Sequence, residues 1–162
     1  MIILSAIALL CTAVWGYCHF RDRDKRMLEA LTGELESIVA KRPGKSNALA
    51  LLDAATPERV FTGNVRIISD LPRLDRNFSL KELSQLLITM KKSCHSAAVD
   101  IDISSITFDS EHRSAQIAGT AFFTVDSGKN NVRELREIEL TCNKTNGKWK
   151  IAGITATQVI ER

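Results

Sequence analysis

Residues 99–160 read VDIDISSITFDSEHRSAQIAGTAFFTVDSGKNNVRELREIELTCNKTNGKWKIAGITATQVI, and their alternation decides the fold. Strand-like runs cover Val99–Phe108, Ala115–Val125, Arg133–Cys142 and Trp149–Ile160, joined by short turn signals that include Asn146-Gly147. Turns at Asp126–Asn131 and Asn146-Gly147 set the register. They place Ala115, Ile117, Gly119, Ala121 and Phe123 on one face, beside Ile138, Leu140 and Cys142, then Ile151, Gly153, Thr155, Thr157 and Val159. Side chains on a strand have a two-residue period, so agreement over three strands specifies an antiparallel meander. The first strand breaks the pattern: Val99, Ile101 and Ile103 share one parity, Ile106 and Phe108 the other. One inserted residue at Ser104-Ser105 reconciles them as a β-bulge, which also bends the sheet and gives it a concave face.

Upstream of the meander the period changes. Met27, Leu28, Leu31, Leu35, Ile38 and Val39 recur at three- and four-residue steps, which predicts an amphipathic helix ended by Pro43-Gly44. Ser46 opens a short second helix carrying Leu49, Leu51 and Leu52, broken before Pro57. Val65 to Ile68 reads as a short strand, and Leu71-Pro72 begins a loop that runs to Ser79. Ser79-Leu80-Lys81-Glu82 is a capping box opening a third helix, with Leu83, Leu86, Leu87 and Met90 on one side and an end near Cys94.

The first twenty residues, MIILSAIALLCTAVWGYCHF, carry no Asp, Glu, Lys or Arg. A helix of that length spans roughly 30 Å, the hydrocarbon thickness of a bilayer. The run lacks the basic start and small-residue exit of a cleaved leader, and Leu10 before Cys11 makes a poor lipoprotein box. A single-pass anchor at residues 1–20, contacting membrane through residues 2–20, and one domain at 21–162 are therefore expected. Arg21, Arg23, Lys25 and Arg26 follow the run and nothing basic precedes it, which favours a cytoplasmic domain over a periplasmic one.

The 22 basic and 19 acidic residues all lie from Arg21 onward and are well mixed, so a net +3 gives no case for nucleic acid. Cys94 and Cys142 have no CxxC or Cys/His spacing, so neither a metal site nor any cofactor is expected. Register also puts them toward opposite ends of the first meander strand, too far apart for a disulfide.

Helix, helix, short strand, helix and a bent four-strand meander resemble the nuclear transport factor 2-like superfamily, the cystatin-like cone. The resemblance runs from about Lys25 to Ile160 and is carried best by Arg136-Glu137-Ile138-Glu139-Leu140 leading through Asn146-Gly147-Lys148-Trp149-Lys150-Ile151. It implies an α+β fold with three helices over a curved antiparallel sheet, a conical cavity on the concave side, and an opposite sheet face used for dimers. It says little about activity, because such a fold hosts enzymes, carriers and assembly subunits. Isomerase-like members pair an aspartate with a tyrosine, but the only tyrosine here is Tyr17, inside the apolar run. Dehydratase-like members use a His/Asp set, whose only candidates would be His95 with Asp70 or Asp100.

Catalytic candidates are weak one by one. Asp100 and Asp102 point away from the cavity if the bulge is placed correctly, His95 follows a helix end, His112 sits in an exposed turn, and His19 lies at the membrane boundary. No catalytic residue is assigned. The candidate pocket is Arg136, Glu134, Thr155 and Thr157 on the concave face, with Gly119 and Gly153 leaving room beside them. The candidate partner surface is Phe122, Leu135, Ile154 and Ala156 on the other face, suited to a homodimer or a protein partner. The expected function is that of a membrane-anchored, non-enzymatic interaction or assembly domain. The alternatives are a small-molecule or enzymatic cone-pocket protein, and a periplasmic component like those of secretion systems.

Overall fold

The computed structural model describes residues 22–42, 56–70 and 74–158. Residues 22–30 are the described part of one compact unit, Met1–Ala30, and are helical; the second unit, Leu31–Arg162, holds the sheet. No helix among the described residues is long and apolar enough to cross a membrane, and the expected span at 1–20 lies outside them. The expected second helix, from Ser46, also lies outside them. Two helices are therefore described in the second unit: α1, residues 31–39, and α2, Leu80–Ser93. A short 3₁₀ turn, Pro57–Arg59, precedes the first strand.

Six strands form one sheet: β1 Phe61–Ser69, β2 Arg76–Ser79, β3 Ser96–Phe108, β4 Ser114–Asp126, β5 Asn131–Thr145 and β6 Lys148–Gln158, in the order β2-β1-β6-β5-β4-β3. β4 and β5 have the register read from the sequence, with Ile117 opposite Leu140 and Ala115 opposite Cys142. The bulge is at Ser104: Ile103 pairs with Gly119 and Ser105 with Ala118, so one residue of β3 has no counterpart on β4. The Ser104 hydroxyl donates to the Ala118 carbonyl at 2.9 Å, holding the kink. Val99 and Ile101 before the bulge, and Ile106 and Phe108 after it, consequently share the inner face.

At the β1–β2 edge of the sheet two features depart from the sequence reading. The stretch expected as loop up to Ser79 contains β2, four residues paired antiparallel with β1 and anchored by Phe78, which is buried against the register position of Val65. β1 itself is longer than Val65–Ile68 and runs parallel to β6, closing the sheet on the side away from β3. That pairing joins segments far apart in sequence, and local alternation carries no trace of it.

The capping box starts α2 as expected: the Glu82 N–H donates to Ser79 Oγ at 3.3 Å, and the Ser79 N–H to Glu82 Oε2 at 2.9 Å. The Ser79 N–H and hydroxyl, each donating to Glu82 Oε2 at 2.9 Å, together with Arg76 at 3.0 Å, hold the Glu82 carboxyl below the usual range. Leu83 is buried and Leu86 is exposed, so the inward stripe is Leu83, Leu87 and Met90.

The far end of α2 is closed by a side chain from elsewhere. Lys41 pairs through its backbone with Ala97 of β3, and its buried Nζ donates to the carbonyls of Lys91 at 2.6 Å and Cys94 at 2.5 Å. A cation on carbonyls at the C-terminal end of a helix is favoured by the helix dipole as well as by hydrogen bonding. Lys41→Met keeps the apolar stem and removes the charge; it should lower stability by about 2 kcal/mol. An unchanged urea midpoint would show that the cap is idle.

Candidate functional site

Arg136 faces inward from β5, opposite Ala121, two residues from Glu134 opposite Phe123. Its side chain is 9% exposed. Nη2 donates to Glu134 Oε1 at 2.6 Å and Nη1 donates to Asp70 Oδ1. Asp70 follows β1, whose last residue Ser69 lies beside Ala156 of β6. The three groups meet where β1, β6 and β5 run side by side.

The electrostatics of this cluster are settled internally. Bonds from the Arg136 guanidinium hold the Asp70 carboxyl below its ordinary range, with Ser69 Oγ at 3.2 Å adding to the effect. Glu134 first, then Asp70, push the Arg136 pKa further up. One cation facing two carboxylates leaves an excess of negative charge, and both guanidinium edges that point to the carboxylates are occupied. That is a poor cradle for an acidic ligand, and Asp70 is poorly suited to hold a proton at neutral pH.

Two of the four expected pocket residues, Arg136 and Glu134, are thus together, and Asp70 joins them. Thr155 and Thr157 are not there. Between Thr141 and Cys142 the β5–β6 register slips: Cys142 pairs with Ile151 while Thr141 pairs with Gly153, leaving Ala152 as an extra residue. This second bulge flips the rest of β6. Ile154 lies opposite the buried Leu140, and Ala156 opposite Ile138, so both face inward. Thr155 and Thr157 lie opposite Glu139 and Glu137 on the outer face. The expected outer surface therefore loses Ile154 and Ala156 and keeps Phe122 and Leu135.

Phe122 and Leu135 are directly opposite one another on β4 and β5, 41% and 46% exposed. Ile68 of β1, opposite Thr155 and 44% exposed, adds a further apolar group to this face. Beside the Phe122–Leu135 ridge runs a trough of about 330 Å³, lined by Ser104, Thr120, Glu137, Glu139, Thr155 and Thr157. The Ser104 bulge borders it, and the slip at Ala152 is what turns Thr155 and Thr157 into it.

The remaining candidates are dispersed. Asp100 and Asp102 are exposed on the outer face, opposite Phe122 and Thr120, as the bulge required. His95 is exposed at the start of β3, its ring against Gly128 in the β4–β5 turn, at the far end of β3 from the bulge. His112, expected to be exposed, is half-buried, its ring 5.2 Å from that of Phe108, which in turn meets Trp149 edge-on. Among the described residues, no group of three or more His, Cys, Asp or Glu is placed to hold a metal ion.

No family model matches this sequence, and no curated protein matches it. Solved structures do. A Kribbella flavida protein superposes with a TM-score of 0.66 at 16% identity, over 88% of this chain and 95% of its own. A Nostoc punctiforme domain with a cystatin-like fold gives 0.63 at 11%, over 86% and 79%. A Streptomyces avermitilis protein, described as a candidate dehydratase of the nuclear transport factor 2-like family, gives 0.61 at 12%, over 87% and 99%. The chain has the cystatin-like, nuclear transport factor 2-like α+β fold. At these identities the likeness is one of fold, and activity does not travel with it.

Proposed function

We propose that this domain acts by assembly: two copies associate through the outer face of the sheet, and the pair is held at a membrane by residues 1–20. The observation that carries the reading is the Phe122–Leu135 ridge, two large apolar side chains in direct register on a sheet face open to solvent. Exposed apolar residues scattered singly are ordinary; a paired ridge with Ile68 on the same face is a contact surface. The inner cluster supports the reading from the other side, since Arg136 is already held by Asp70 and Glu134.

Phe122→Glu and Leu135→Glu each put a charge at the centre of the contact. Chemical cross-linking of the full chain in membranes should give a dimer band that either variant removes, with the far-UV spectrum unchanged. A wild-type chain that never cross-links, or variants that cross-link as well as wild type, would refute the reading.

Anchoring is argued from the charge-free run of twenty residues and the four basic residues after it. A reporter enzyme that works only outside the cytoplasm, fused after Arg162, should be silent. Activity would instead place the domain on the outer side and favour a secretion-component role.

A second reading, a cone-pocket binder, has one observation in its favour. The Asp70 and Glu134 side chains are 42% and 36% exposed around a buried Arg136, so carboxylate oxygens line an accessible inner surface. Such a site suits a cationic or hydrogen-bond-donating ligand. Glu134→Gln would then weaken thermal stabilisation by a panel of small amines while leaving self-association intact.

A further inference from the structure

The outer face has a ridge and a trough one step apart along the same strands, and this fixes how two copies would meet. Along β5 the outward side chains are Arg133, Leu135, Glu137 and Glu139, each about 7 Å from the next. On β4 their partners are Thr124, Phe122, Thr120 and Ala118. The ridge is the Phe122–Leu135 pair; the trough lies over Thr120–Glu137 and Ala118–Glu139. Resting on the self-association proposed above, we infer that the ridge of each copy seats in the trough of a second copy, with Arg133 of one over Glu139 of the other.

The geometry leads there in two steps. Face-to-face pairing of identical sheets uses a two-fold axis in the plane between them, so the same patch serves both copies. An axis running across the strands reverses their direction. If it passes midway between the Phe122–Leu135 row and the Thr120–Glu137 row, those rows exchange places. The same operation carries the Arg133 row onto the Glu139 row. On β5 opposite charges therefore meet twice, once on each side of the axis. On β3 the same exchange sets Asp100 of each copy toward Asp102 of the other, a like-charge pair that opposes the contact at that edge of the sheet.

Volume selects this register over the symmetric alternative. An axis through the ridge would stack Phe122 on Phe122 and set Arg133 over Glu137, but both troughs would stay filled with solvent. A trough of about 330 Å³ holds on the order of ten waters. That is room for an aromatic ring, whose burial removes about 150–250 Å² from water. Ala118 and Gly119, with little or no side chain, are among the residues that line it.

The test uses full chains carrying single charge reversals. Arg133→Glu alone sets Glu against Glu139 at both contacts; Glu139→Arg alone sets Arg against Arg133 at both. Each should raise the dimer dissociation constant at least tenfold. Mixed in equal amounts, the two variants should form a heterodimer as tight as wild type, because both contacts become opposite-charge pairs again. Rescue also shows that both variants are folded. Rescue by Arg133→Glu with Glu137→Arg instead would overturn this register and keep the dimer. A dimer indifferent to all three reversals would overturn it too. A wild-type chain that is monomeric would remove the assembly reading itself.

Discussion

Alanine at Gly119 is expected to destabilise the domain by about 3 kcal/mol, the upper end of forced overpacking. A Cβ built there comes within 2.2 Å of the Asp102 carbonyl oxygen, 3.1 Å of its carbon and 3.2 Å of Ile103 Cα. All three atoms belong to the backbone of β3 next to the Ser104 bulge, so no side chain can swing aside to make room. The ladder would have to part or the bulge shift. Gly63, in β1, is the control, because a Cβ there meets nothing within 4 Å. Gly63→Ala should stay within about 0.5 kcal/mol of wild type. Urea unfolding of both variants measures the difference; equal midpoints would mean that β3 and β4 are not this close. Since the Ser104 bulge lines the trough, a shift of that bulge should weaken self-association along with stability.

Alkaline pH should expose a second dependence. Cys142 is fully buried on β5 opposite Ala115 and Ile151, and burial pushes its thiol up to about 12. In the unfolded chain it ionises near 9. Below that value both states hold the proton and Cys142 gives no pH dependence. Above it the unfolded state releases a proton that the folded state keeps, so stability falls as pH rises from about 9 towards 12. The limiting loss from this group is about 4 kcal/mol. Cys142→Val keeps an apolar side chain and removes the proton, so the slope of stability against pH between 9 and 11 should flatten. A thiol reagent at pH 8 should leave Cys142 unmodified until urea unfolds the chain. Cys94 is also buried, and neither cysteine is in a disulfide. Rapid modification of Cys142 in the native protein would contradict the packing at this end of the sheet.

What the sequence disclosed was the part that alternation governs. The parity switch between Ile103 and Ile106 betrays the Ser104 bulge because strongly apolar residues stand on both sides of it. The β6 bulge at Ala152 is hidden for the opposite reason. In Ile151-Ala152-Gly153-Ile154-Thr155-Ala156-Thr157 both parities are mildly apolar and small, so a one-residue slip leaves no contrast. That slip decided the candidate site, moving Thr155 and Thr157 to the outer face and Ile154 and Ala156 to the core.

Asp70 was missed as the partner of Arg136 because it lies 66 positions away and arrives through the parallel β1–β6 pairing. Only with β1 placed beside β6 would Ser69 fall next to Ala156 and Asp70 close to Arg136. β2 escaped for want of length, since four residues are too few to display a period. The capping box at Ser79–Glu82 was legible because its two reciprocal bonds are purely local.

The central claim is that the outer sheet face joins two copies, and sedimentation of the full wild-type chain tests it most directly. In density-matched detergent, across micromolar to several hundred micromolar protein, the account predicts a reversible monomer–dimer equilibrium with the dimer at twice the chain mass. Phe122→Glu should shift that equilibrium fully to monomer at the same concentrations. A wild-type chain that stays monomeric at the highest concentration, or a dimer that Phe122→Glu leaves intact, would contradict it.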